Sequence, residues 1–161
     1  MTARHLTLPF LFALVMAGAC SRTPLPEPAL PPAANAPLQP ERATLDGLQL
    51  EARLIDVQSL PAPMAARHGI AQAENRWMLL LTIRDAAGNG VPADAVQLEA
   101  RHGDLLTPVR PLALRPIAVG GMNDWIGTLD AKPPATVNIE IDARHGAASM
   151  RMRFSRDLMP H

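Results

Sequence analysis

The run Trp77-Met78-Leu79-Leu80-Leu81-Thr82-Ile83 constrains this chain more than any other stretch. As a strand it is apolar on both faces, and such a strand belongs at the centre of a sheet with both sides covered. The surrounding sequence offers segments to build that sheet. Leu48, Leu50, Ala52 and Leu54 alternate with Gln49, Glu51 and Arg53, the pattern of a half-buried strand. Ile55 and Val57 break the phase, which predicts a bulge or bend. Asp85-Ala86-Ala87-Gly88-Asn89-Gly90 reads as a tight loop after the apolar run.

A third strand carries Val96, Leu98 and Ala100. A fourth, around Leu112 and Leu114, contains Pro111 and Pro116, which confine it to an edge. Gly120-Gly121 turn the chain into a fifth strand with Trp125, Gly127 and Leu129. Val137, Ile139 and Ile141 alternate in a sixth. Arg144-His145-Gly146 make a turn, and Met150, Met152 and Phe154 form the inward face of a seventh.

Between the first two strands, Ser59 to Gly69 predicts two turns of helix. Its prolines suit the first turn, and Gly69 suits the left-handed position after the last. The helix is expected to pack through Leu60, Met64 and Ile70 and to cover the second side of the apolar strand. Seven short strands spaced by turn signals point to an all-β fold over 44–161. The expectation is an immunoglobulin-like antiparallel β-sandwich with one short helix after the first strand. A small barrel is the alternative. Cys20 is the only cysteine, so no intramolecular disulfide can assist and the fold depends on its core.

The N-terminal part has a different composition. Arg4 precedes an apolar run from Leu6 to Ala19, and Met16-Ala17-Gly18-Ala19-Cys20 has the layout of a lipobox. The run is too short for a membrane-spanning helix, which needs roughly 20 residues. It fits a signal peptide over 1–19 with cleavage before Cys20 and lipidation of that residue. Several acyl chains on one residue give stable anchoring. Ala17-x-Ala19 also satisfies the rule for plain secretion. Ser21 follows the cysteine in place of an aspartate, which favours the outer membrane over the inner. Residues 20–43 hold Pro24, Pro26, Pro28, Pro31, Pro32, Pro37 and Pro40 without apolar periodicity, the composition of an extended, disordered linker.

Within the folded part, the stretch from Leu60-Pro61 through Arg67-His68-Gly69-Ile70, then Glu74-Asn75-Arg76 entering the apolar strand, resembles a family of small exported proteobacterial proteins known only as a domain of unknown function. The resemblance continues through Val91-Pro92 and the late Phe154-Ser155-Arg156-Asp157-Leu158, covering about Leu48 to Pro160. It implies the sandwich fold and export, and no activity.

The formal net charge is zero, so nothing in the charge points to nucleic acid. Aromatics are limited to Phe10, Phe12, Phe154, Trp77 and Trp125, which weakens any reading as a base- or sugar-stacking surface. Arg-His-Gly occurs at 67–69, 101–103 and 144–146. Three converging histidines can hold a metal, which makes His68, His102 and His145 candidate ligands. Met150 and Met152 are candidate Cu(I) ligands, although a core-facing methionine stripe is far commoner. Asn75 and Arg76, ahead of the rigid apolar strand, form a candidate partner-binding pair in which Arg76 takes a carboxylate. In the plainer reading, Asn75 holds a turn and Arg76 pairs with Glu74 or Asp56.

No serine nucleophile elbow, paired acid and base or phosphate loop is present. The sequence therefore leads to a lipid-anchored, non-enzymatic interaction module on the periplasmic face of the envelope. It would have no cofactor, a membrane contact through Cys20 and an envelope protein as partner. A periplasmic copper or zinc protein is the alternative.

Overall fold

The structure is a computed structural model that describes residues 39–104 and 107–160. The stretch read as a signal peptide, Cys20 and most of the stretch read as a linker lie outside the described residues. Among the described residues nine strands make two antiparallel sheets. They are β1 (Glu41–Leu45), β2 (Leu48–Asp56), β3 (Arg76–Arg84), β4 (Gln97–Asp104), β5 (Arg110–Leu112), β6 (Arg115–Val119), β7 (Met122–Asp130), β8 (Ala135–His145) and β9 (Ala148–Leu158). One sheet has the order β1-β2-β3-β7-β6 and the other β5-β4-β8-β9.

This order is that of an immunoglobulin sandwich. β2, β3, β7 and β6 stand where strands A, B, E and D stand in such a domain, and β4, β8 and β9 where C, F and G stand. β5 takes the added C′ position, and β1 extends the first sheet beyond β2. The all-β sandwich read from the sequence is the observed fold.

The apolar run forms β3 at the middle of its five-stranded sheet. Trp77, Leu79, Leu81 and Ile83 face the other sheet and meet Leu50, Ala52, Leu54, Ile139, Ile141 and Phe154 in the main core. Each such large side chain contributes roughly 1.5–3 kcal/mol when fully buried. The opposite face of the same strand carries Met78 and Leu80. Together with Val57, Ala65, Ile70 and Ile126 they form a second, smaller core. The helix α1 (Ala62–Arg67) covers that face, as expected from a strand that is apolar on both sides.

One expectation is narrowed and three need correction. Of the bulge or bend expected at Ile55 and Val57, the structure shows the bend and no bulge, because β2 pairs with β3 in unbroken register from Gln49 to Asp56. Ile55 instead packs on the second core, and the chain turns through a 3-10 helix, Val57–Ser59, capped by the Asp56 carboxylate on the Gln58 N–H. The single fourth strand is two strands. β5 and β6 lie at the edges of different sheets, and the chain crosses between them at Ala113 and Leu114. Both prolines are on edges, Pro111 in β5 and Pro116 in β6. Met64 points outward and is half exposed, whereas Ala65 is the helix residue that packs inward. Finally, β1 begins at Glu41, inside the stretch read as linker. It returns to β2 through Asp46 and Gly47, both at positive φ, as a two-residue type I′ turn demands.

Candidate functional site

The Asn75–Arg76 pair sits where β3 begins. Asn75 holds a left-handed φ of 59°, and its carbonyl accepts the Ala131 N–H at 2.8 Å. Arg76 lies opposite Asp130 in the β3–β7 register. Its Nε donates to Asp130 Oδ1 at 2.9 Å and its Nη2 to Oδ2 at 3.4 Å. The Arg76 hydrogen bond holds the Asp130 carboxyl below its ordinary range. The intramolecular partner of Arg76 is thus a cross-strand residue distant in sequence, not Glu74 or Asp56. Asn75 faces a cleft of about 230 Å³ shared with Gln58, Glu74 and Trp77.

The three histidines lie on separate elements. His68 closes α1. His102 lies in β4 opposite Ile139, on the face that carries Leu98 and Ala100. Burial, then the nearby Arg110 charge, push its pKa down. His145 ends β8, with Nδ1 3.0 Å from Asp46 Oδ2 in the β1–β2 turn. Among the described residues no group of three or more His, Cys, Asp or Glu side chains is arranged to hold a metal ion. Met152 is part of the main core and Met150 packs against it.

The outer face of the four-stranded sheet carries a charge ladder. Glu140 and Asp142 in β8 stand between Arg101 of β4 and Arg151 and Arg153 of β9. The Arg153 hydrogen bond lowers the pKa of Glu140, and the Arg151 hydrogen bond that of Asp142. The charges satisfy one another, so this face is a solvated one.

A different surface lies between the end of α1 and β6. After Arg67 and His68 the helix stops at Gly69, which has φ of 61°. The Gly69 N–H bonds to Ala66 O at 3.1 Å and the Ile70 N–H to Ala65 O at 2.8 Å. This is a Schellman cap that turns the chain down onto the second core. The Arg115 guanidinium reaches across from β6 and donates to the His68 carbonyl. Helix end and edge strand thereby enclose an open groove of about 630 Å³, lined by residues 67–69 and 115–118. Among the described residues, arginine, histidine and apolar residues line it, and no carboxylate does.

Among the described residues β6 pairs only with β7, and its other side is open. The turn at Gly120-Gly121 has both residues at positive φ, and the flanking pair is Val119 and Met122. A two-residue turn makes its flanking pair the hydrogen-bonded one, and hydrogen bonding alternates from there. Ile117 and Arg115 therefore bond towards β7, and Pro116 and Ala118 direct their backbone polar groups outward. Proline has no N–H, so the open edge offers the Ala118 N–H and the carbonyls of residues 116 and 118. Sequence reasoning placed Pro116 on an edge but passed over Arg115 and Ala118. The usable signal was an arginine directly before an edge proline.

The family known as DUF4426, a domain of unknown function, matches residues 43–160. Among solved structures the chain is similar to a DUF4426 family protein from Pseudomonas aeruginosa PAO1. That pair has a TM-score of 0.63 and 13% identity, with 76% of this chain and 96% of the other covered. It is also similar to FetP of uropathogenic Escherichia coli strain F11. The FetP form recombinantly expressed in the periplasm gives a TM-score of 0.54 at 11% identity, covering 75% of this chain and 95% of that one. A copper-bound FetP variant gives 0.52 at 9% identity, covering 73% and 95%. At these identities the likeness is one of fold. No curated protein matches the chain. With the family match spanning almost all of the sandwich, this chain belongs to the DUF4426 family of domains of unknown function.

Proposed function

We propose that this protein is a non-enzymatic interaction module of the bacterial cell envelope. It is anchored by lipid on Cys20, faces the periplasm and docks a partner in the groove between α1 and β6. The observation that carries the reading is that groove: among the described residues, an open edge strand beside Arg67 and Arg115, with no carboxylate in its lining. The N-terminal sequence supports the address. A lipobox-like Met16–Cys20 followed by a proline-rich spacer suits a domain held at a distance from a bilayer. The absence of an aspartate after Cys20 favours the outer membrane.

Replacing Cys20 tests the anchor. Wild-type protein is expected in the membrane fraction with an acylated N-terminal cysteine by mass spectrometry, and Cys20→Ala in the soluble fraction or uncleaved. A mature N-terminus at Cys20 without acyl mass, or wild type free of membranes, contradicts the anchor.

A copper or zinc protein is the second reading, and the copper-bound FetP structure on a similar fold supports it. The candidate ligands here are His68, His102, His145, Met150 and Met152. Titration with Cu(I) or Zn²⁺ against a competing chelator separates the readings: binding tighter than micromolar, lost in His102→Gln or His145→Gln, favours the metal.

A further inference from the structure

We infer that β6 accepts an acidic, extended segment of a partner protein as an added strand, with the partner's carboxylates held by Arg67 and Arg115. This rests on the docking reading above and specifies the chemistry of the occupant. Three independent features of the same surface lead to it.

The first is the backbone. Ala118 presents both of its polar groups outward and Pro116 its carbonyl, enough to receive a short strand by main-chain hydrogen bonds, as in β-strand addition. The missing N–H at Pro116 limits where a strand can pair. It protects the edge from indiscriminate pairing and fixes the position of a strand that does add.

The second is charge. Among the described residues, eight arginines are matched to carboxylates. Arg42 and Arg53 hold Glu51, Arg76 holds Asp130, Arg84 holds Asp124, and Arg156 holds Glu41. Arg101, Arg151 and Arg153 share Glu140 and Asp142. Arg67, Arg110, Arg115 and Arg144 form no such pair among the described residues, and of these Arg67 and Arg115 line one groove. The contact of Arg115 with the His68 carbonyl uses one of its nitrogens. It positions the guanidinium while leaving other donors for an incoming carboxylate.

The third is the alternation of side chains along β6. Arg115, Ile117 and Val119 share one face. Ile117 packs at the rim of the second core, and Val119 is 39% exposed. A strand laid beside β6 would meet a cation near one end of that face and an apolar surface two and four residues on. The matching segment has acidic and apolar side chains at alternate positions of one face. A membrane headgroup could use the charges, but it has no use for a donor and acceptors spaced along a strand edge.

The probe is a labelled synthetic peptide repeating Glu-Thr-Val-Thr, titrated into the purified protein and read by fluorescence anisotropy. Three comparison probes are used: a Lys-for-Glu peptide, a Pro-for-Thr peptide and vesicles rich in anionic lipid. The glutamate peptide is expected to bind, with the lysine and proline peptides at least about tenfold weaker. Arg67→Glu with Arg115→Glu should invert the preference towards the lysine peptide. Ala118→Pro, which removes an outward N–H and no ladder bond, should weaken the glutamate peptide while leaving the thermal midpoint near wild type. In amide NMR, Ala118 and Val119 should shift on binding.

Equal binding of the glutamate and lysine peptides, or of the proline peptide, overturns the inference without any protein variant. Binding to the vesicles with none to the peptide also overturns it and assigns the arginines to lipid. Neither result bears on the Cys20 anchor, which the fractionation experiment judges separately.

Discussion

At the scale of single residues, the most consequential pair is Arg84 and Asp124. Asp124 is the buried charged residue of the described sandwich at 4% exposure, and it accepts a 2.6 Å hydrogen bond from Arg84 Nη2. Arg84 also donates to the carbonyls of Ile83 and Asn123, so its guanidinium ties the end of β3 to β7. Removing one member leaves a buried charge without its partner, which is worse than removing both. Arg84→Ala is expected to cost about 3 kcal/mol in urea unfolding. Arg84→Met with Asp124→Leu should recover most of that loss. An additive double variant would contradict the account. The same logic explains Arg76: its carboxylate lies directly opposite in the register, a relation that only the β3–β7 pairing reveals.

At the scale of elements, the two sheets are joined where the chain leaves β5 and enters β6, and Gly127 makes that crossing possible. A Cβ at Gly127 would lie 2.8 Å from the Ala113 carbonyl oxygen and 3.0 Å from side-chain carbons of Leu112 and Leu114. Glycine inside a strand marks such a close approach of another backbone. Gly127→Ala is therefore predicted to destabilise by about 1–3 kcal/mol, seen as a thermal midpoint lower by several degrees. An unchanged midpoint would show that the crossing can move aside.

Elements with strong periodicity were legible in the sequence. β2, β3, β8 and β9 and the helix with its Gly69 cap appear where alternation and capping residues put them. β1 was missed because it has one buried leucine, Leu45, and follows prolines. Yet Asp46-Gly47 between two leucines is a strong hairpin signal. The split into β5 and β6 was not legible, since a short apolar run between prolines carries no mark of which sheet it joins. The groove was illegible for a related reason. It pairs a helix end with a strand nearly fifty positions on, and its outward backbone groups follow from register alone.

At the scale of the whole molecule, the sandwich wears its charge as paired arginines and carboxylates over a core without disulfides. The hydrogen bonds of Asn89 on Asp85, Arg76 on Asp130, Arg153 on Glu140 and Arg151 on Asp142 hold those carboxyls below their ordinary values. Folding then releases protons from these groups in acid. Their contribution is complete above the unfolded carboxylate values, about pH 4, and is lost as pH falls through the lower folded values. Urea midpoints should hold steady from pH 7 to about 5 as far as these groups are concerned and then drop towards pH 3. High salt should shrink the drop. A midpoint flat through pH 3 would contradict the pairing.

The central claim, that the α1–β6 edge is where this domain meets a partner, is tested most directly by site-specific photocrosslinking in intact cells. A photoreactive residue at Ala118 is predicted to give a discrete protein adduct that disappears when Arg67 and Arg115 are both reversed to glutamate. The same probe at Ser155, on the opposite sheet, should give none. An adduct at Ser155 equal to that at Ala118, or one indifferent to the arginine reversal, would contradict the claim.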